Sequence, residues 1–255
     1  MKRAGDIAKD ATVKIRSVDT PKIYEYGAPP RKLPVKTLHD LSVKHLRGSH
    51  LDRFRELRQA AYEWIKLRPN DPGISFVITG SVGTGKTTII QNLRASAQTE
   101  YLVLDDEGEP LGEPFRSVNS RFYTATDFMA LMDPGRRLAG AGSTELLGRK
   151  PLYKLFQGIE VIALDDLGTE ELSFVPRDLI DLARQNRYRE AFDYFYDNGV
   201  SVLITSMVPL LHGGHPNQDF VDIIGAASFD RLFERAKGFM FDLTGLPSYR
   251  QITSE

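Results

Sequence analysis

The sequence predicts an α/β fold, a parallel sheet sandwiched between helices, and three observations carry that prediction. Short apolar, β-rich runs begin at Ile74 ("ISFVITG") and recur at 101–104, 121–124, 161–164, 200–205 and 239–243. Helical patterns lie between several of them, at 86–97, 125–132 and 176–198, and such alternation is the signature of strands buried on both faces. The first of these runs passes directly into a glycine-rich turn and then a helix.

Size and composition suit this class. The 255 residues, 41% of them apolar and 26% charged, fit one α/β domain with extensions, or two small domains. No apolar run approaches the roughly 18–20 residues that cross a bilayer, so no membrane partner is expected. No secretory signal opens the chain, and a cytoplasmic location is expected. The chain has no cysteine, which excludes disulfides, thiolate nucleophiles and Cys-ligated zinc.

Charge is unevenly spread. Residues 1–50 hold eleven Lys/Arg against five Asp/Glu, a balance of +6, so the rest carries −7 to give the net −1. Residues 1–40, with "GAPPRKLP", read as a basic, largely extended arm, and 41–255 as the folded domain. Such an arm either meets an anionic partner or is simply solvated. Within the folded part, Leu51, Phe54, Leu57, Ala61, Trp64 and Ile65 share one helical face, and "RPNDPG" stops that helix.

The turn after the first strand is "GSVGTGKTT", residues 80–88, and it satisfies G-x-x-x-x-G-K-[ST]. Gly80, Gly83 and Gly85 let the backbone curl, with Ser81, Val82 and Thr84 between them, so that successive amides point at phosphate oxygens. The helix N-terminus adds its dipole. Lys86 is placed to neutralise β- and γ-phosphates, and Thr87 (with Thr88 beside it) to ligate Mg²⁺. ATP and Mg²⁺ are therefore the expected ligands.

A phosphate-loop site also needs carboxylates at the end of a parallel strand. Two stretches compete: "YLVLDDEGEP", 101–110, and "VIALDDLGTE", 161–170. The first continues into a polar turn and reads as an inserted hairpin near 101–120, leaving Asp105 and Asp106 solvated. The second is the purer buried strand. Asp165 at its end is the expected metal carboxylate, facing the phosphate loop across the sheet, and Asp166 the polariser of the lytic water.

At this point the chain resembles a known family. "GSVGTGKTT", "VIALDDLGTE", "YFYDNGVSVLITS", "FDRLFER" and "LTGLPSYR" occur in the order found in the DnaC/DnaI helicase loaders and the IstB-type transposition ATPases, which are AAA+ proteins. The resemblance covers roughly 35–252, and it makes "RFYTATDFMALM" the second core strand and its helix. It implies an ATPase that forms ATP-dependent homo-oligomers and acts on DNA with a helicase or a transposase as partner. It also implies roles for residues. Thr205 or Ser206 falls at sensor 1, with Ser206 the chosen contact, and Met207 stands where the family has asparagine. Phe195 stands where relatives tend to have arginine. Arg231 matches the finger supplied to a neighbouring subunit, with Arg235 its competitor and a helix-surface salt bridge to Asp230 or Glu234 the structural alternative. Arg250 matches the last arginine of G-x-S-x-R, one residue out of register.

The chain ends five residues after Arg250, so no full helical lid is expected. About forty residues precede the core, which speaks against the loaders' helicase-binding domain. His212 and His215 in "LLHGGHPNQ" read as a polar loop, because no third metal ligand is evident. Tyr24 and Tyr26 in the arm could stack on bases. A small-molecule kinase shares the phosphate loop but has no use for "FDRLFER" and "LDDLG". A nucleotide-gated adaptor with little hydrolysis is kept open by Met207.

Overall fold

The computed structural model describes residues 46–68, 71–98, 118–132, 152–170 and 180–248. The basic arm, the 101–117 part of the expected hairpin with Asp105 and Asp106, and Arg250 lie outside these residues.

Helix α1 (Gly48–Leu67) leads to strand β1 (Phe76–Thr79), and helix α2 (Lys86–Gln98) follows the phosphate loop. Strand β2 (Ser120–Thr124) runs into α3 (Ala125–Met132), and the short α4 (Leu152–Phe156) precedes β3 (Val161–Leu167). Helix α5 (Ile180–Asp197) then leads to β4 (Ser201–Ser206). A two-stranded ribbon, β5 (Leu211–His212) and β6 (His215–Pro216), comes before α6 (Gln218–Ile224), α7 (Ala226–Arg235) and β7 (Met240–Asp242).

Five strands form one parallel sheet in the order β2-β3-β4-β1-β7. All of β1 and β4 is buried, as a sheet covered on both faces requires. Period-two alternation divides the inward side chains between two cores. Phe76, Ile78, Val161, Ala163 and Leu203 pack on one face with α1 and α2 residues such as Trp64 and Leu93. Val77, Ile162, Leu164, Val202 and Ile204 pack on the other with Phe128, Tyr188, Phe220 and Leu232 of α3, α5, α6 and α7. The second core is rich in rings: Phe128, Phe156, Tyr188 and Phe195 meet at centroid distances of 5.1–6.3 Å. Phe195, where an arginine was expected from the resemblance, is one of these core rings.

The strand order places one strand, β4, between those that end in the phosphate loop and in Asp165, which sets β1 and β3 about 10 Å apart at the ordinary strand spacing. Residues 211–217 are more ordered than the polar loop predicted for them. His212 and His215 face each other across the ribbon, Gly213 and Gly214 supply its two positive φ angles (59° and 83°), and Asn217 caps α6 by accepting from Asp219 N.

Helix α1 is fastened to the sheet by its buried face of Phe54, Leu57, Ala60, Ala61, Trp64 and Ile65. Trp64 is fully buried, and its Nε1 donates to the Ile74 carbonyl at 2.9 Å, just before β1 begins. Trp64→Phe keeps most of the ring packing but leaves that carbonyl unpaired. It is expected to lower stability by about 1–3 kcal/mol. Urea denaturation followed by far-ultraviolet circular dichroism checks this, since Trp64 is the only tryptophan.

Candidate active site

The phosphate loop leaves β1 at its C-terminal end, bounded by Gly80 and Lys86. Gly80 has φ 139°, and a Cβ there would lie 2.8 Å from the Leu243 carbonyl carbon and 3.0 Å from the Thr244 amide. Backbone cannot yield at that distance, so only glycine lets the loop pass under the end of β7. At Gly83 (φ 81°) a Cβ would collide with Ser248, which brings the "GLPS" segment against the loop. Arg53 of α1 holds the same corner, donating to the carbonyls of Asp242 and Thr244. Within the loop Thr84 Oγ1 donates to the Ser81 carbonyl at 3.0 Å; Ser81 and Val82 are exposed at its tip.

Lys86 is buried and donates through Nζ to the carbonyls of Gly80 (2.7 Å) and Ser81 (2.9 Å). Burial lowers its pKa, while the charges of Asp166 and Asp165 act in the opposite direction. One residue on, Thr87 Oγ1 donates to Asp165 Oδ1 at 3.0 Å. The sheet's alternation explains the contact. Asp165 continues the face of Val161 and Ala163, the face that α2 covers.

Thr205 sits on the same face as Leu203 and donates to the same Asp165 oxygen at 2.5 Å. Ser206 is one residue further and therefore on the other face. Its hydroxyl donates to the Leu167 carbonyl at 2.8 Å and accepts from Val208 N at 3.1 Å. Of the two residues considered for sensor 1, Thr205 meets the Asp165 carboxylate, and Ser206, one step on along a period-two strand, faces the other way and meets the Leu167 carbonyl. Met207 projects outward, 45% exposed.

Asp166 departs from strand geometry. It is exposed, and its φ of 56° is the only positive value at a non-glycine among the described residues. Between Leu164, opposite Ile204, and Leu167, opposite Ser206, β3 advances three residues while β4 advances two. This bulge re-aims the strand end, and the left-handed residue within it stores about 1–3 kcal/mol of strain. Four hydrogen bonds hold the turn locally. Asp166 N donates to Thr205 Oγ1 (2.9 Å), and the Asp166 carbonyl accepts from Thr169 Oγ1 (2.7 Å) and Thr169 N (3.2 Å). Gly168 N donates to Glu170 Oε1 (2.9 Å).

Arg231 lies far from this cluster in its own chain. The Arg235 carbonyl at the end of α7 accepts from Ser75 N, at the opposite end of β1 from the phosphate loop. Arg231 pairs with Asp193 of α5 at 2.5 Å, rather than with Asp230 or Glu234, and lies 5.9 Å from the Tyr196 ring centroid. Arg235 stacks closer on that ring, at 4.6 Å, and reaches Asp71 at 3.8 Å. Both side chains are about a third exposed.

The donor set fits a hard cation: a hydroxyl and a carboxylate already hydrogen-bonded to one another, beside a buried lysine and a loop of glycine-spaced amides. Thr87 and Asp165 would hold Mg²⁺; bound there, it would neutralise phosphate charge.

Burial pushes the Asp165 carboxyl above its ordinary pKa; Thr205 draws it back, Asp166 adds to the rise, and Thr87 and Lys86 oppose it. A carboxyl with a raised folded pKa favours folding below its unfolded pKa of about 3.9 and loses that contribution as pH rises through the folded value. Asp165→Asn keeps the acceptor oxygen and removes the charge. The free variant is expected to melt at or above the wild type at pH 7, with the difference closing toward about pH 4. Its Mg²⁺-dependent affinity for nucleotide should meanwhile fall by about tenfold or more. Thermal melts across pH and a nucleotide titration with and without Mg²⁺ check both parts; a variant less stable at pH 7 contradicts the first.

No protein-family model and no curated protein sequence matches the chain. Solved structures do. The chain is similar to the crystal structure of the DnaC helicase loader at a TM-score of 0.50 and 18% identity, over 82% of this chain and 95% of that one. Domain III of the Thermotoga maritima replication initiation protein DnaA aligns at 0.49 and 17%, over 86% and 70%. DnaI aligns at 0.43 and 15%, over 84% and 89%. At such identities it is the fold that the DnaC likeness establishes. The chain has an α/β fold like that of the DnaC structure, with a parallel sheet between helices and the phosphate loop at the head of α2.

Proposed function

We propose that the chain binds Mg·ATP at the phosphate loop, hydrolyses it, and works as an ATP-dependent homo-oligomer in DNA replication, in the manner of a replicative helicase loader. The observation that carries this reading is the Thr87–Asp165 hydrogen bond across the intervening strand. It brings the two oxygen groups that a phosphate-loop metal needs into contact, although 78 residues separate them.

In this reading the loop amides and Lys86 bind the phosphates, and Lys86 exchanges its two carbonyl acceptors for phosphate oxygens. Asp166 orients a water and draws its proton as attack proceeds. Thr205 keeps Asp165 in place rather than reading the γ-phosphate alone. Arg231 leaves Asp193 to reach the nucleotide of a neighbouring copy, the step that makes turnover depend on assembly. Ser81, Val82 and Thr88 complete the loop's contacts, and Arg250 is the candidate second sensor.

Two other readings stay within reach of test. An IstB-like transposition helper shares every site residue and would assemble on duplex DNA with a transposase. The exposed Met207, which cannot make an asparagine's hydrogen bonds, favours an ATP-gated adaptor with little hydrolysis.

Steady ATP turnover should fall by about 10²-fold or more in Asp166→Asn with nucleotide binding retained. No turnover in the wild type, with or without DNA, selects the adaptor. Arg231→Ala should lose turnover to a comparable degree, about 10²-fold or more, and regain part of it when mixed with Lys86→Ala, because one intact finger then faces one intact site; no recovery at any ratio rejects a finger in trans. Assembly size, measured by light scattering with ATP and single- or double-stranded DNA, tests the oligomer. Capture of a replicative helicase against capture of a transposase separates the loader from the transposition helper.

A further inference from the structure

We propose that Glu170 and Tyr188 are a positioning pair that holds the Asp166 turn in its working shape; this rests on the reading of Asp166 as the residue that orients water. Glu170 is 8% exposed and Tyr188 fully buried. Two donors from different elements converge on one oxygen, Glu170 Oε1: the Tyr188 hydroxyl from α5 and the Gly168 amide from the turn itself. The other oxygen, Oε2, is buried without a hydrogen-bond partner among the described residues.

A buried carboxylate with one idle oxygen is a costly way to fill a core, and an apolar side chain of similar size serves stability better. What the carboxylate provides is geometry. Gly168 and Thr169 follow directly on the left-handed bend, and both are tied down: Thr169 to the Asp166 carbonyl and Gly168 to Glu170. Gly168 packs closely on α6: a Cβ there would lie 2.8 Å from Ile223 Cδ1. Glu170 thus closes the turn against α5, and Tyr188 fixes Glu170. Burial and the neighbouring Glu170 charge raise the Tyr188 pKa well above its ordinary value, so the hydroxyl keeps its proton and stays a donor.

Among the described residues the pair's hydrogen bonds run to each other and to the Asp166 turn, not to the phosphate loop. Loss of the pair should therefore lower kcat and spare nucleotide affinity. The experiment measures ATP turnover and fluorescent-ATP affinity of the full chain, with DNA present, for Glu170→Leu, Glu170→Gln and Tyr188→Phe. Glutamine retains the acceptor for both donors, so Glu170→Gln should stay within about threefold of wild type. Glu170→Leu should lose about tenfold or more in kcat with affinity changed by less than about threefold, and Tyr188→Phe should fall between them. If Glu170→Leu does not fold by circular dichroism, Tyr188→Phe carries the test alone.

Wild-type turnover in Glu170→Leu, or in Tyr188→Phe where the leucine variant is unfolded, overturns the proposal. So does a kcat loss matched by an equal loss of affinity, or a Glu170→Gln as impaired as Glu170→Leu. In each of those cases Asp166→Asn still abolishes turnover, so the reading of the site survives. A wild type without turnover, with Asp166→Asn no different, overturns both.

Discussion

One oxygen atom organises the candidate site. Asp165 Oδ1 accepts hydroxyl hydrogens from Thr87, on the helix after the phosphate loop, and from Thr205, on the strand between the two halves. The sheet order makes this stitch necessary, since β1 and β3 are not neighbours. A carboxylate buried to this degree resists ionisation, and two hydroxyls plus the nearby Lys86 charge offset only part of that resistance. The arrangement therefore carries a standing electrostatic tension, which a divalent cation held there would relieve.

Around that atom the glycines set clearances rather than flexibility. Gly80 admits the end of β7, and Gly83 admits Ser248, so the C-terminal segment and the phosphate loop lie in direct contact. Arg53 ties α1 to the same corner. Three stretches remote in sequence thus share one small volume, and a displacement of any of them is felt at the loop amides.

Much of this was legible in the residues. The strand–glycine–lysine–threonine order defines the phosphate loop by itself, because backbone amides need glycine to converge and the metal needs a hydroxyl at that place. The purity of "IEVIALDD" marked a buried strand ending at Asp165, and the helical spacing of Phe54, Leu57, Ala61, Trp64 and Ile65 gave the buried face of α1. What escaped was relational. Nothing in the order of segments tells that β4 inserts between β1 and β3, and without that the facing of Thr205 against Ser206 was a choice between adjacent residues. Asp193 as the partner of Arg231 depends on the packing of α5 against α7, so a search along α7 alone found only Asp230 and Glu234. Glu170 and Tyr188 stand 18 positions apart, and no periodic pattern flags a carboxylate that a tyrosine in another helix will meet.

The left-handed backbone of Asp166 has a consequence for which acid this position accepts. Aspartate and asparagine tolerate that region far better than other side-chain-bearing residues, because their short polar groups compensate locally. Glutamate would bring a carboxylate one methylene further out but would sit less easily in the bend. Alanine at this position would confound loss of the carboxylate with loss of the bend, so the free energy of any such change divides between chemistry and conformation. The same tolerance means that the local sequence preference is written into φ as much as into reactivity.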